Sequence, residues 1–261
     1  ALLNKYPKHN PLILAKAILL QSSDPAQALK LVQRITRQQP AVPALILKTK
    51  LLQQLDRVDE SLEVFALILE QQPANEQVRL NYARQLINAN YLEQARAQFL
   101  ELSQLNPFDD DYRLALGYIN MDLDAWEEAA VYFEELILRE SYVDTAQYNL
   151  GRCHEELGNY AQALAAYTAV QQGQNYLAAI QRQANIYLNQ DNLTAFSLLF
   201  EHAQQSAPEH LIELYLIEVE TLSKHQLNDL AWQRIEQALT DFTDDHRLLY
   251  TRAMIAAQKD D

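Results

Sequence analysis

Proline recurs along this chain at a nearly constant interval, and that interval constrains the fold more than any other feature. Pro40, Pro73 and Pro107 are followed by Ser141 and Asn175 at the equivalent places and then by Pro208, at separations of 33, 34, 34, 34 and 33 residues. Twelve residues before each such position comes a small residue in most copies: Ala28, Ser61, Ala95, Ala129 and Ala163, then Phe196. An apolar residue follows four places later in every copy, as Val32, Phe65, Phe99, Phe133, Tyr167 and Phe200. A period of this length matches one supersecondary unit that cannot bury its apolar face alone and must stack on copies of itself. The units read as 9–41, 42–75, 76–109, 110–143, 144–177, 178–210 and 211–245, with partial units at 1–8 and 246–261. Only four glycines occur, eight prolines punctuate the chain, and no strand-like alternation is present, so the predicted class is all-α.

The clearest unit runs from Asp144 to Leu177. Tyr148, Leu150, Gly151 and Leu157 fall at helical spacing, Gly158-Asn159 supplies a stop, and Tyr160, Ala163, Leu164, Tyr167 and Val170 form one face of a second helix. Gly151 and Ala163 are the expected point of closest approach, because antiparallel helices come together where neither carries bulk. Asp56, Asn90, Asp124 and Asp191 occupy the place of Gly158 in other units, and their side chains tolerate the left-handed backbone that such a stop requires. The first two units depart from the pattern, with Lys16 and Thr49 where a small residue is expected. Cys153, beside Gly151, reads as a small buried hydrophobe.

Leucine-glycine in the first helix, alanine then an aromatic in the second, and a closing proline on a 34-residue period resemble the tetratricopeptide repeat (TPR) family over nearly the whole chain. The resemblance implies one array of roughly seven helical hairpins wound into a right-handed superhelix, with first helices lining a concave groove. Carried onto this chain, the groove positions are Asn81, Arg84 and Asn88, then Tyr118 and Asp122, then Tyr148, Asn149, Arg152 and Glu155, then Gln181, Arg182, Asn185 and Asn189. These side chains suit an extended peptide: Asn, Gln and Arg hydrogen-bond backbone and carboxylates, and Tyr offers rigid stacking area. A chaperone-type carboxylate clamp is disfavoured, since Leu80, Arg84 and Ala115 do not reproduce its lysines and asparagines.

Chemistry is sparse. No phosphate-binding loop, nucleophile elbow or paired histidines appear, and the six histidines are scattered over different units, so neither enzyme activity, a cofactor nor a metal is expected. Asp109-Asp110-Asp111 reads as a helix N-cap with favourable dipole charges. The net charge of −14 is uneven: residues 1–50 carry eight Lys or Arg against Asp24 alone, while residues 101–160 carry fourteen acids and three arginines. An acidic middle excludes nucleic acid as the partner, and the basic end, including Lys30, Arg34 and Arg37, suits an anionic surface.

The stretch Tyr148–Val170, with Gly173, Tyr176-Leu177, Ala179, Arg182 and Ala184, further resembles proteobacterial TPR lipoproteins of the outer membrane. That resemblance implies a periplasmic adaptor, held by a lipid anchor upstream of this segment, that brings client proteins to a carboxy-terminal processing protease. The alternative is a cytoplasmic assembly scaffold or co-chaperone-like module. No apolar run reaches the length of a membrane span. Ala1–Pro7 reads as the end of a second helix and His246–Ala257 as a first helix without its partner, as expected for a piece of a longer protein.

Overall fold

The computed structural model describes residues 9–38 and 40–260; the expected helix end at residues 1–7 lies outside them. The described residues form fifteen α-helices and one short 3-10 turn, with no strand. The chain divides into two compact units, Ala1–Ala125 and Trp126–Asp261, so the boundary falls in the turn of the fourth repeat.

In the first unit α1 (Asn10–Leu20), α2 (Pro25–Gln38), α3 (Val42–Gln54), α4 (Val58–Gln71), α5 (Glu76–Asn88), α6 (Leu92–Leu105) and α7 (Asp110–Asp122) each pack on the next. The second unit holds α8 (Trp126–Leu138), α9 (Val143–Glu156), α10 (Tyr160–Thr168), α11 (Tyr176–Asn189), α12 (Leu193–Ser206), α13 (Leu211–Lys224), α14 (Asn228–Asp241) and α15 (His246–Asp260). There, neighbours in sequence again pack together, and the alternate helices α11, α13 and α15 also touch one another in turn. Such first-to-first contact is what stacks one hairpin on the next.

Six of the seven hairpin turns are built the same way. Asp56, Asn90, Asp124, Gly158, Asp191 and Gln226 all have φ between 55° and 73°. The residue after each donates its N–H to a carbonyl five places back, as Arg57 to Leu52 at 2.9 Å and Asn159 to His154 at 2.8 Å. This is the 6→1 bond of a Schellman stop, which satisfies a helix-end carbonyl that would otherwise lack a partner. The expected left-handed positions are therefore confirmed, and Gln226 adds one that side-chain chemistry does not announce. Between hairpins, the junctions at Ser141 and Asn175, which lack proline, carry positive φ instead, at Glu140 and Tyr142 and at Gly173.

Helix starts follow local chemistry. Asn75, Asp109 and Asn192 accept backbone N–H groups of Val78, Asp111 and Ala195 at 3.0–3.1 Å, so the triple aspartate does act as a cap. The inner face is apolar throughout, with Val32, Phe65, Phe99, Phe133, Tyr167 and Phe200 all buried at one repeat position.

Two local readings change. In the first hairpin Ala17 is fully buried and Lys16 exposed, so the small position shifts by one residue there. Ala17 precedes Ala28 by eleven residues, whereas Gly151 precedes Ala163 by twelve: α1 ends three residues after Ala17 and α9 five after Gly151, and the four-residue turn after α1 lacks the left-handed stop of the others. Thr49, by contrast, keeps the register: it is buried and directs its hydroxyl to the Ile46 carbonyl at 2.8 Å, which hides its polarity inside the helix. The second change concerns Gly151. A Cβ built there would meet the Tyr167 ring at 2.5 Å, so the glycine makes room for Tyr167 rather than for Ala163.

Candidate functional site

Three successive first helices of the second unit, α9, α11 and α13, contribute to one open cleft of about 470 Å³. Its walls carry Glu155 from α9, Gln181, Arg182, Asn185 and Asn189 from α11, and Lys224 with His225 at the end of α13. Gln181, Arg182 and Asn185 were expected at a groove, and the fold brings them together with Glu155 and Asn189 as expected.

Arg182 is held in place by a chain of contacts that starts at Gly151. Without a Cβ at Gly151, the Tyr167 ring lies directly against α9. From there its hydroxyl donates to Glu155 Oε2 at 2.6 Å. The same oxygen receives Arg182 Nη1 at 3.2 Å, which ties α9, α10 and α11 together at the cleft wall. Tyr148 stacks at a tilt on Tyr167, with ring centroids 5.9 Å apart, and lies near Arg182. Burial, and then the Glu155 carboxylate, push the Tyr167 phenol well above its ordinary pKa, so it stays protonated and remains a donor. Arg182 keeps 36% of its side chain exposed, which leaves guanidinium donors facing the cleft.

The other expected groove residues separate. Asn149 is only 3% exposed: its amide donates to the Thr145 carbonyl at 2.8 Å and its oxygen accepts Arg152 Nη1 at 3.3 Å. Asn149 therefore orients Arg152 instead of facing a ligand, since adjacent residues turn about 100° around a helix and only one of Tyr148 and Asn149 can point outward. Asn185 also spends its amide on its own helix, donating to the Gln181 carbonyl at 2.7 Å. Asn81, Arg84 and Tyr118 belong to the first unit. Asn81 accepts Gln77 at 3.3 Å, Arg84 is exposed, and Tyr118 is 40% exposed. Arg84 lies close enough to Tyr112 to favour its ionised form, against the burial and the Glu76 contact that hold the phenol protonated.

Lys224 and His225 were missed. Lys224 stands two residues before the left-handed Gln226 as Asn189 stands two before Asp191, but 35 residues separate them, so counting by the 33–34-residue period lands on Leu222 or Ser223 and passes over it. A second polar cluster was also unforeseen: Glu218 on α13 is wholly buried, with Arg234 Nε 2.7 Å from Oε1 and Gln204 donating to Oε2 at 3.3 Å. The Arg234 N–H is not aimed at Oε1, which lacks a hydrogen bond, and burial pushes the Glu218 carboxyl up to about 7. Among the described residues no group of three or more His, Cys, Asp or Glu side chains is placed to hold a metal ion. No described helix is long and apolar enough to cross a membrane.

A family profile described as Tetratricopeptide repeat matches residues 83–142 and 126–178. A TPR repeat-containing protein of Pseudomonas aeruginosa is 39% identical over all 261 residues. The chain spans 44% of that relative's length. Among solved structures, a tetratricopeptide repeat protein from Parabacteroides merdae superposes with a TM-score of 0.53 at 14% identity, covering 95% of this chain and 98% of that one. MamA superposes with a TM-score of 0.52 at 16% identity, covering 62% of this chain and 95% of its own.

Proposed function

Because this chain is built of tetratricopeptide repeats, a family that binds protein or peptide partners, we propose that it is a non-catalytic adaptor that holds an extended segment of a partner protein. The observation that carries the reading is the cleft across α9, α11 and α13, where side chains from three successive repeats converge on one space. Its lining is polar and hydrogen-bonding, with Arg182, Lys224 and the amides of Gln181 and Asn189, which suits a peptide backbone better than a small apolar ligand. An extended segment rises about 3.3 Å per residue and so crosses several stacked first helices with few residues.

In its finer form, the adaptor is anchored by a lipid on the periplasmic side of the outer membrane and delivers clients to a carboxy-terminal processing protease. The likeness of Tyr148–Ala184 to such lipoproteins supports this, and the exposed Lys30, Arg34 and Arg37 suit a nearby anionic surface.

Capture of partners from native extract by the full-length protein tests the binding reading. Arg182→Ala should weaken capture by roughly 2–5 kcal/mol if the guanidinium is desolvated against the partner, while Arg139→Ala, on the second-helix side after α8, should leave it unchanged. Equal loss in both variants would place the partner elsewhere. Incorporation of labelled fatty acid into the full-length protein in its native host tests the anchor, and an unlabelled protein would refute it.

A further inference from the structure

A second space lies on the opposite side of α11 from the cleft, and a shortened helix opens it. The second helices α2, α4, α6, α8, α12 and α14 run for thirteen or fourteen residues, but α10 stops after nine, at Thr168. Seven residues, 169–175, then lead to α11, where four lead from α4, α6, α8, α12 and α14 to the helix after each. Val170 still fills the core position that Leu102 and Leu136 hold in earlier repeats, and it is buried. What is missing is the turn beyond it, about 5.4 Å of helix. A cavity of about 390 Å³ stands there, floored by Tyr176, Ile180 and Gln183 of α11 and walled by Leu199, His202 and Ser206 of α12. It lies between two complete hairpins, α9–α10 and α11–α12, so no further repeat is due to cover it.

The lining selects the occupant. Val170, Ile180, Leu199 and the Tyr176 ring give the space an apolar body, while Gln183 and Ser206 supply hydrogen-bonding groups. Gln183 is 3% exposed, and its oxygen accepts the Thr168 hydroxyl at 2.9 Å, which uses one lone pair and leaves the other. Ser206 donates its hydroxyl to the His202 carbonyl at 2.8 Å, so its oxygen is left to accept. No lysine, arginine, aspartate or glutamate lines the cavity. A cation would find no carboxylate there and an anion no positive partner, and an unpaired charge taken from water costs far more than a neutral group. Glu209, outside the lining, acts on the Tyr176 phenol and disfavours an anion further. Trp, Tyr and Arg are the side chains that most often anchor protein interfaces. Arginine lacks a counter-charge here, whereas Trp and Tyr bring an apolar ring with one N–H or O–H donor, which complements the free acceptors of Gln183 and Ser206.

We infer that this cavity is a second attachment point, which takes the tryptophan or tyrosine side chain of a protein partner other than the segment held in the cleft. The choice of a protein as occupant rests on the adaptor reading above; the cavity and its chemistry do not. Residues two places apart on a helix point about 200° apart. Ile180 stands two places from Arg182, and Gln183 two places from both Gln181 and Asn185. The two sites therefore open on opposite sides of α11 and can be filled at once, as bringing two proteins together requires.

The test uses three probes that share one ring: N-acetyltryptophanamide, N-acetyltryptophan and tryptamine, which are neutral, anionic and cationic near neutral pH. A fourth is the peptide Gly-Gly-Trp-Gly-Gly, acetylated and amidated at its ends. Binding to the 261-residue chain is read from ligand line broadening in NMR titrations. The neutral amide and the peptide are expected to bind about tenfold more tightly than either charged probe. Ser206→Trp, at an exposed rim position, puts a ring of the chain's own into the space and should abolish binding. Thr194→Trp, exposed at the other end of α12, should leave it unchanged, as should Arg182→Ala. Equal affinity for the three small probes overturns the inference, and so does binding that survives Ser206→Trp. Binding of the amide without the peptide would give the space to a small molecule and overturn the protein anchor. Loss of binding in Arg182→Ala would put the ring in the cleft, and absence of binding by every probe would refute the site outright. Capture of native partners by the Arg182→Ala variant decides the cleft reading separately.

Discussion

Substituting Gly151→Ala perturbs packing and site together, and the structure sets the size of both effects. The added Cβ would lie 2.5, 2.6 and 2.9 Å from three Tyr167 ring carbons, where ordinary carbon contacts are about 3.5–4.0 Å. Tyr167 is fully buried and must retreat by roughly 1 Å. Overpacking of this kind costs about 1–3 kcal/mol. The retreat also stretches the 2.6 Å bond to Glu155 towards 3.6 Å, where it no longer counts as a hydrogen bond, and bonds to charged acceptors contribute about 1.5–3 kcal/mol. Against this, alanine is favoured over glycine in a helix by about 1 kcal/mol. The expected net is a loss of about 2–4 kcal/mol, read from the urea midpoint with the slope compared between proteins. In a Tyr167→Leu background the ring and hydroxyl are gone, so the same Gly151→Ala change should become neutral or stabilise by up to about 1 kcal/mol. An equal cost in both backgrounds would refute the assignment of Gly151 as the seat of the tyrosine ring.

Other expectations follow from single features. The Glu218 carboxyl, buried, is pushed up to about 7 from its ordinary value of 4.5, so the folded state keeps a proton that the unfolded chain has lost between those values. Its stabilisation is present below about 4.5 and lost as pH rises through about 7, by on the order of 3 kcal/mol. Glu218→Gln should flatten the stability profile between pH 5 and 8, and an unchanged profile would show that another group titrates there. Gln226→Gly should raise stability by up to about 1 kcal/mol, since it relieves a left-handed side chain at φ 62°, whereas Gly158→Ala at φ 73° should lower it by about 1–2 kcal/mol; thermal unfolding checks both signs. Reversing Lys30, Arg34 and Arg37 to glutamate should weaken binding to phosphatidylglycerol vesicles and reduce its salt sensitivity, and indifference of binding to the reversal would remove the membrane-surface reading.

The architecture was legible because each hairpin repeats the same three signals, and the left-handed turns were legible because Asp or Asn stands at the place of Gly158 in four units. Gln226 escaped, since glutamine has no particular liking for that backbone and only its repeat position marks it. The slip at Ala17 was hidden because α1 ends two residues sooner after its small residue while the turn is one residue longer, a net loss of one that periodic counting absorbs silently. Site residues were harder. Arg182 and Gln181 came from the groove positions that the repeat resemblance implies, but the inward turn of Asn149 depends on the rotation of α9 about its axis, which the sequence states only to within one residue. The link from Gly151 through Tyr167 and Glu155 to Arg182 joins three helices, and pairwise spacing within one helix carries no information about it.

Cys153 gives this molecule a clock of its own. It is the single cysteine, it sits fully buried on α9 two residues before Glu155, and burial pushes its thiol up to about 12. A thiol so enclosed reacts with an alkylating reagent only during the moments when α9 comes open. Where closing outruns alkylation, the labelling half-life measures how rarely that happens, lengthening tenfold for each 1.4 kcal/mol by which the closed state is favoured. The central hairpin, and with it anything that clamps Arg182 against Glu155, can thus be timed in the unmodified protein, with no probe attached.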